Sequence, residues 1–390
     1  MGDGMDRSIV LKLYPNREQE KAIDRQIEHL RYVYNACLYI LKHRYLATGK
    51  VCSRYDLNDK CNEMRKRNAW LRSSYASCLY DAAGRALQAF RKRLSDSVRS
   101  GSPVFPRARA KGEMDSFLYI SAKDFKVYDE DDGGKTKRYV KLGKVPGSIR
   151  ARNLSPIKGA PRTLRVKRRD MGTHYEYQCS LVYRLPEDYT EGDPEDRSDR
   201  EDVGIDLGLR HVACFSDGRT YDLPEDYTES QRRRDRLRSR YEKAKGTPGE
   251  KKARSRFVHA NDRVLGKRKA LIDRIVHDAL HGHRDVYIER LNVAKLQGRS
   301  KGKRMRRMYE EASLGTLIRT LLSKARLTRS RVVAVDPRNT SKLCSACGAM
   351  VGKTLSDRVH SCPVCGLVTD RDLNAAINIL KRGLAGSPSL

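Results

Sequence analysis

The chain has 390 residues, enough for two or three domains, and its 81 Lys and Arg against 49 Asp and Glu give a formal net charge of +32. Such a charge repels itself unless a polyanion neutralises it, and it is spread along the whole chain, so we expect a nucleic-acid partner. No segment approaches the roughly 18 apolar residues of a membrane span, and the N-terminus lacks the basic and apolar regions of a signal peptide. The sequence therefore predicts a cytoplasmic, nucleoid-associated protein with no membrane partner.

The first half of the chain predicts a β-structure with helices inserted in it. Residues 8–14 alternate as a strand does, and Asn16 with Gln19 resembles a capping box that opens a helix. Apolar residues then recur every three or four positions over much of 16–98, whereas short alternating segments with Gly and Pro follow from 99 to 184. We expect a small antiparallel β-barrel formed by 1–15 and 99–184, with 16–98 as a helical insertion.

The second half predicts an α/β domain. Residues 185–202 are acidic, without hydrophobic periodicity, and are typical of a solvated linker. From 203 onward, strands at 203–205, 211–215, 285–288 and 331–335 alternate with helical patterns. We expect a charged helical region over about 230–260 that is broken at 246–249, another helix that ends near His283, and a last helix from about Leu373.

Three carboxylates end or begin these elements in an order that indicates a nuclease. Asp206 follows the first strand of the α/β region, Glu289 ends a later strand, and Asp372 lies near the start of the last helix. Taken singly, each is equally well explained as a strand-end polar residue or a helix cap. Together they form an RNase H-like arrangement, in which hard oxygen ligands favour Mg²⁺ or Mn²⁺ for phosphodiester hydrolysis. Asp370 competes with Asp372, and we prefer Asp372 because it lies closest to the predicted first turn.

Four cysteines near the C-terminus have the spacing of a structural zinc site. Cys344 and Cys347 form one Cys-x-x-Cys pair, and Cys362 and Cys365 form a second pair after fourteen intervening residues. Four thiolates complete a tetrahedral Zn²⁺ shell, so the pattern predicts a zinc ribbon over 341–368 without a catalytic role. The remaining six cysteines are scattered singly, as buried thiols are.

Two basic runs are candidates for contact with phosphates. A solvated charged surface is the alternative interpretation, but acidic residues do not balance the second run. The candidate residues are Arg232, Arg233, Arg234, Lys303, Arg304, Arg306 and Arg307.

Seven segments give the chain a resemblance to a known family. They are Leu11-Lys-Leu-Tyr-Pro-Asn16, Arg31-Tyr-Val-Tyr-Asn35, Gly204-Ile-Asp-Leu-Gly208, Ile288-Glu-Arg-Leu-Asn292, Asn339-Thr-Ser-Lys-Leu-Cys-Ser-Ala-Cys-Gly348, Cys362-Pro-Val-Cys-Gly366 and Asp370-Arg-Asp-Leu-Asn-Ala-Ala-Ile-Asn378. With them the chain resembles TnpB, the transposon-encoded OrfB proteins related to type V CRISPR effectors. The resemblance extends over nearly the whole chain.

The resemblance implies an RNA-guided DNA endonuclease. A guide RNA derived from the transposon end would pair with double-stranded target DNA next to a short flanking motif. The resemblance also implies a wedge domain (1–15 and 99–184), a helical recognition domain (16–98), and a RuvC nuclease (203–340 and 369–390) with the inserted zinc ribbon. Asp206, Glu289 and Asp372 would bind Mg²⁺ or Mn²⁺.

Two other functions remain open from the sequence. One is a transposition regulator that binds DNA, with or without guide RNA, and does not cut it. The other is a transposase that acts without RNA. The oligomeric state is open as well.

Overall fold

The computed structural model describes residues 5–97, 103–186, 189, 199–291, 308, 312–328, 330–354 and 357–386. The chain divides into two compact units, Met1–Glu187 and Asp188–Leu390. The division falls within the segment 185–202 that the sequence predicts to be a linker. The basic candidates Lys303, Arg304, Arg306 and Arg307 lie outside the described residues.

The first unit is built on a curled antiparallel sheet. Its strands, within the described residues, are β1 (Asp6–Tyr14), β2 (Ser116–Tyr119), β3 (Phe125–Asp132), β4 (Lys135–Leu142), β5 (Ile149–Arg152), β6 (Ala160–Asp170) and β7 (Tyr175–Arg184). They lie in the order β2-β6-β7-β1-β5-β4-β3, and no ladder between described residues joins β2 to β3 to close a barrel. Alternation sets the buried face, as along β7, where every second residue from Tyr177 to Tyr183 is buried.

The helices of this unit interrupt the sheet between β1 and β2. They are α1 (Arg17–Thr48), α2 (Arg54–Arg67) and α3 (Ala76–Ser97). The capping box predicted at the start of α1 is confirmed, because the Asn16 side chain accepts from the Gln19 backbone and the Gln19 side chain accepts from the Asn16 backbone. Sequence analysis did not separate α2, whose residues include only two buried apolar positions, Leu57 and Cys61.

The second unit is built on a mixed sheet. Its strands, among the described residues, are β8 (Val203–Asp206), β9 (Ala213–Phe215), β10 (Thr220–Tyr221), β11 (Asp285–Glu289) and β12 (Arg331–Val335). The order is β10-β9-β8-β11-β12; β8, β11 and β12 are parallel, whereas β9 and β10 are antiparallel to their neighbours.

Helices cover both faces of this sheet. They are α5 (Glu250–Gly282), α6 (Leu314–Thr328) and α7 (Arg371–Leu384), and a further helix, α4 (Tyr227–Ala244), packs against α5. Alternate residues of β8, β11 and β12 pack against α5 and α6, and the residues between them, such as Tyr287 and Val333, pack with Ile379 of α7. A two-stranded ribbon, β13 (Val359–Ser361) with β14 (Val368–Asp370), directly precedes α7.

Two predictions about these helices were wrong. The break predicted at Gly246–Gly249 and the helix end predicted near His283 are confirmed, but the helix is not separate from the charged region, since α5 runs without a break from Glu250 to Gly282. The last helix starts at Arg371, two residues earlier than expected, because Asp370 serves as its N-cap. Within the described part of the chain, none of the helices is long and apolar enough to cross a bilayer.

Candidate active site and metal centre

Parallel pairing of two strands brings Asp206 and Glu289 to the same edge of the sheet. In the register of β8 and β11, Ile205 lies opposite Ile288. Asp206 and Glu289 are the next residues on the two strands, and both are partly buried. Because parallel strands end on the same side, the two carboxylates meet at the carboxyl edge of the sheet.

Helix α7 supplies the third carboxylate because it crosses the strands at very short range. A Cβ on Gly204 would lie 2.2 Å from the carbonyl oxygen of Ala376, and one on Gly383 would lie 2.0 Å from the Tyr287 ring. Only glycine permits these approaches. Asp372, one turn before Ala376, is thereby buried, with 7% of its surface exposed, over the end of β8.

The charges of Glu289 and Asp372 act on Asp206, although among the described residues these three carboxylates do not form a group whose ligand atoms all lie within 4.8 Å of one another. Burial, followed by the charges of Glu289 and Asp372, raises the pKa of Asp206 well above its usual value. Arg371 opposes this shift, and its Nε lies 3.4 Å from Oδ1 of Asp372. Burial also raises the pKa of the Cys214 thiol, which lies across from Asp206 on β9, to about 12, with Asp206 contributing. The arrangement is a buried cluster of negative charge that a cation would neutralise.

Asp370 has a different position from Asp372. Its Oδ1 accepts the backbone N–H of Asp372 at 2.8 Å and caps α7, and its Oδ2 accepts from Arg210 Nη1 at 3.1 Å. Both oxygens therefore already have donors. The structure places Asp372, and not Asp370, in the buried position beside Asp206.

Glu289 has a partner that the sequence did not suggest. The hydroxyl of Thr340, in the loop after β12, donates to Glu289 Oε1. Burial raises the pKa of Glu289, and the hydrogen bond from Thr340 opposes that shift.

The four predicted zinc ligands come together. Each cysteine offers one sulfur atom, and among the described residues these four sulfur atoms all lie within 4.8 Å of one another, as the ligands of one metal ion must. The Sγ atoms of Cys344 and Cys365 are 3.5 Å apart, and those of Cys347 and Cys362 are 3.6 Å apart. Zn–S bonds of about 2.3 Å in a tetrahedron require S···S distances of roughly 3.8 Å, so the thiols fit Zn²⁺ after a small expansion.

Backbone geometry prepares the thiols for a metal. Gly348 and Gly366 follow the two pairs with φ of 75° and 77°, and their N–H groups close the turns onto the carbonyls of Cys344 and Cys362. The backbone N–H of Cys347 lowers the pKa of Cys344 to about 5, with smaller contributions that include the His360 side chain. His360 is completely buried and its Nδ1 contacts Lys353 Nζ, so it supports the site from outside the four-thiol shell.

Asparagines on α7 join this helix to the first cysteine turn. Asn374 accepts the N–H of Ser345 at 2.8 Å and donates to the Leu343 carbonyl at 2.8 Å. Asn378 donates to the carbonyls of Thr340 at 2.8 Å and Leu343 at 2.7 Å. Both asparagines belong to the motif from Asp370 to Asn378 that carries the family resemblance. The motif does not show that their side chains bind the first cysteine turn.

The described basic candidates lie on α4. Arg232 and Arg233 are exposed, whereas Arg234 is partly buried and paired with Asp235 at 2.7 Å. Arg233 lines a cavity of about 690 Å³ between α4 and α5. The cationic lining residues of this cavity are Arg233, Arg236, Arg240, Arg256, His259 and Arg263. Asp226 and Glu229 also line it.

Two family models match parts of the chain. A Cas12f1-like TNB domain matches residues 315–379, which include both cysteine pairs, the ribbon and the first nine residues of α7. A helix-turn-helix domain of the OrfB_IS605 type matches residues 1–50, although the described part of this range is one strand and one helix.

Several curated proteins that are similar to this chain are named as RNA-guided DNA endonucleases or as TnpB-like proteins. A putative RNA-guided DNA endonuclease of Streptomyces pristinaespiralis is 33% identical over 191 residues, which are 47% of this chain and 46% of the relative. The putative RNA-guided DNA endonuclease InsQ of Escherichia coli K12 is 23% identical over 97% of this chain and 92% of its own length. The TnpB-like protein L79 of Acanthamoeba polyphaga mimivirus is 33% identical over 128 residues, which are 31% of this chain and 24% of that protein.

A solved structure shares the fold. The chain matches a Cas12f1–sgRNA–target DNA complex with a TM-score of 0.54 and 15% identity, over 97% of this chain and 99% of that chain. The fold is therefore that of the compact Cas12 effectors. The two family models and the curated relatives make the chain similar to TnpB-type proteins, each over the part of the chain that it matches.

Proposed function

We propose that the chain is an RNA-guided DNA endonuclease that hydrolyses target DNA at a single RuvC site, next to a short flanking motif. The observation that carries the proposal is the buried group of Asp206, Glu289 and Asp372 at the carboxyl edge of a mixed sheet with an RNase H-like strand order. Support also comes from two curated relatives whose names state this activity. The net charge of +32 suits a protein that binds both RNA and DNA.

The carboxylates fit a divalent metal site. Their oxygens are hard ligands, and burial, followed by the charges of Glu289 and Asp372, raises the pKa of Asp206, so that a cation would stabilise its charged form. Asp206, Glu289 and Asp372 would hold Mg²⁺ or Mn²⁺. A bound cation of this kind supplies an activated water and stabilises the oxygens that attack and leave the phosphorus.

The residues around the carboxylates have separate roles in this proposal. Asp206 and Asp372 would supply two of the ligands that hold the cation at the scissile phosphate, and Glu289 would complete the ligand set. Asp370 holds the first turn of α7, so that Asp372 stays in place. The four cysteines would bind structural Zn²⁺ and fold the ribbon that precedes α7.

The domain roles are part of the same proposal. Residues 1–15 and 99–184 would form the wedge and 16–98 the recognition domain, with 185–202 as linker. Residues 203–340 and 369–390 would form the nuclease and 341–368 the zinc ribbon. The partners would be a guide RNA derived from the transposon end and double-stranded target DNA.

The test begins with the nucleic acid that copurifies after expression with the native flanking DNA. We expect one discrete RNA, and the protein–RNA complex should cut a plasmid that carries the matching target when Mg²⁺ is present. Asp206→Ala should abolish cutting while RNA binding stays near wild type. Asp273→Ala is the control, because Asp273 is a partly exposed carboxylate on α5 that pairs with Lys269.

Two results would contradict the proposal. One is cutting by Asp206→Ala at the wild-type rate. The other is heterogeneous RNA, or none, together with strand transfer by RNA-free protein, which would indicate a transposase.

A further inference from the structure

Glu289 is held by a side chain that does not belong to its own sheet. Thr340 is 2% exposed, and its hydroxyl hydrogen bonds to Glu289 Oε1. The carbonyl of Pro337, at 3.2 Å, is a second and more distant acceptor for the same hydroxyl. Glutamate has three side-chain torsions, so a carboxylate without such a partner samples several positions at the strand end.

The backbone of Thr340 is fixed in turn. The preceding Asn339 has φ of 61°, a left-handed conformation that asparagine tolerates, and its carbonyl accepts the N–H groups of Lys342 at 3.0 Å and Leu343 at 2.9 Å. This turn directs Thr340 toward the end of β11. A residue without the correct backbone conformation could not present its hydroxyl there.

The same loop is attached to the helix that carries Asp372. Asn378 of α7 donates to the Thr340 carbonyl at 2.8 Å, and Arg382 Nη1 donates to the Arg338 carbonyl at 2.9 Å. One loop therefore contacts Glu289 through a side chain and α7 through its backbone. The positions of Glu289 and Asp372 are linked through Thr340.

We propose that Thr340 is a positioning residue that holds the Glu289 carboxylate in place for a divalent cation, with Asn378 fixing Thr340 to α7. The inference rests on the proposed function of the carboxylates. The hydroxyl binds Oε1, and Oε2 of Glu289 would be the ligand for the cation. Loss of an outer partner of this kind costs roughly 10- to 100-fold in metal affinity or activity.

Three substitutions test whether Thr340 positions the Glu289 carboxylate or only stabilises the loop in which it lies. Thr340→Val keeps the shape and removes the hydroxyl, whereas Thr340→Ser keeps the hydroxyl. Thr328→Val is the matched control, because Thr328 is also buried, at 3% exposure, and its hydroxyl contacts the carbonyls of Lys324 and Ala325 on α6 and the hydroxyl of Ser330.

The measurement is Mn²⁺ affinity of the full chain, freed of nucleic acid, by electron paramagnetic resonance, with Asp206→Ala defining the background. We expect Thr340→Val to raise the Mn²⁺ dissociation constant about 10- to 100-fold and to raise the Mn²⁺ concentration needed for cutting by a similar factor. Thr340→Ser should restore both values. Thr328→Val should lower the melting temperature and leave Mn²⁺ affinity unchanged.

Zinc content and melting temperature establish that each variant is folded, and Thr340→Ala replaces Thr340→Val if the valine does not fold. Wild-type Mn²⁺ affinity in the folded variant without the hydroxyl would overturn the inference, and so would a Thr340→Ser variant as weak as Thr340→Val. A failure of the proposed function can be told apart from a failure of this inference, because Asp206→Ala would then cut DNA at the wild-type rate.

Discussion

Two aspartates at the start of α7 differ by two positions and have different surroundings. Asp370 is the N-cap and pairs with Arg210, whereas Asp372 is buried beside Asp206. A cap needs only a side-chain oxygen that accepts an N–H, but a metal ligand needs negative charge. Substitution by asparagine therefore distinguishes the two residues.

Asp370→Asn should leave the free energy of unfolding within about 0.5 kcal/mol of wild type, since asparagine and aspartate cap helices equally well. It should retain DNA cutting. Asp372→Asn should abolish cutting without unfolding the protein, because the amide lacks the charge that binds a cation. Guide-loaded cleavage assays and chemical denaturation measure both effects; equal loss of cutting in the two variants would refute the division of roles.

At the scale of elements, the contact between β8 and α7 decides where the third carboxylate lies. The helix approaches Gly204 so closely that a Cβ would lie 2.2 Å from the Ala376 carbonyl oxygen and 2.5 Å from the Leu380 nitrogen. Both are backbone atoms, so the helix must move as a whole to make room. A shift of α7 moves Asp372 and also Asn374 and Asn378, which hold the first cysteine turn.

Gly204→Ala should lower the free energy of unfolding by about 1 to 3 kcal/mol, as overpacking of a core does, and should reduce cutting strongly. Gly266→Ala is the control, because Gly266 lies within α5 and nothing stands within 4 Å of its added Cβ. That variant should gain about 0.5 to 1 kcal/mol from helix propensity and keep its activity. Unchanged stability in Gly204→Ala would show that α7 lies farther from the sheet.

At the scale of the whole molecule, the net charge of +32 is the dominant property. Within the second unit, the arginines of the cavity between α4 and α5 concentrate part of this charge. Phosphates are the ligands that neutralise such a site and release counterions on binding. Arg234, also on α4, does not line this cavity, and its guanidinium is paired with Asp235.

Affinity for the guide RNA should fall by about three to five orders of magnitude between 50 and 200 mM salt, if six to ten phosphates are bound. The triple substitution of Arg233, Arg236 and Arg240 by glutamine should reduce the slope of log affinity against log salt by about 0.7 to 0.9 for each phosphate that the protein no longer neutralises. Arg234→Gln should leave the slope unchanged. Filter binding over a salt series measures it, and a flat response in wild type would remove phosphate binding from the proposal.

The sequence by itself determined features that depend on short segments of chain. The spacing of the cysteines, the capping box at Asn16, the period-two strands and the three separated carboxylates are local patterns, because each is set by the geometry of one element. For that reason the mixed α/β fold and the grouping of the four cysteines were predictable, whereas the roles of the three carboxylates stay a prediction. The family resemblance added the order of the domains, which no single pattern contains.

The tertiary structure alone decided which distant groups meet. Thr340 is 51 residues from Glu289, and Gly204 is one glycine among 28. Both lie in segments that carry the family resemblance, but the segments do not show which side chain or helix each residue contacts. The choice of Asp372 over Asp370 likewise depends on the face of α7 that packs on β8. Contacts of this kind result from packing between elements, whose distances a linear pattern does not encode.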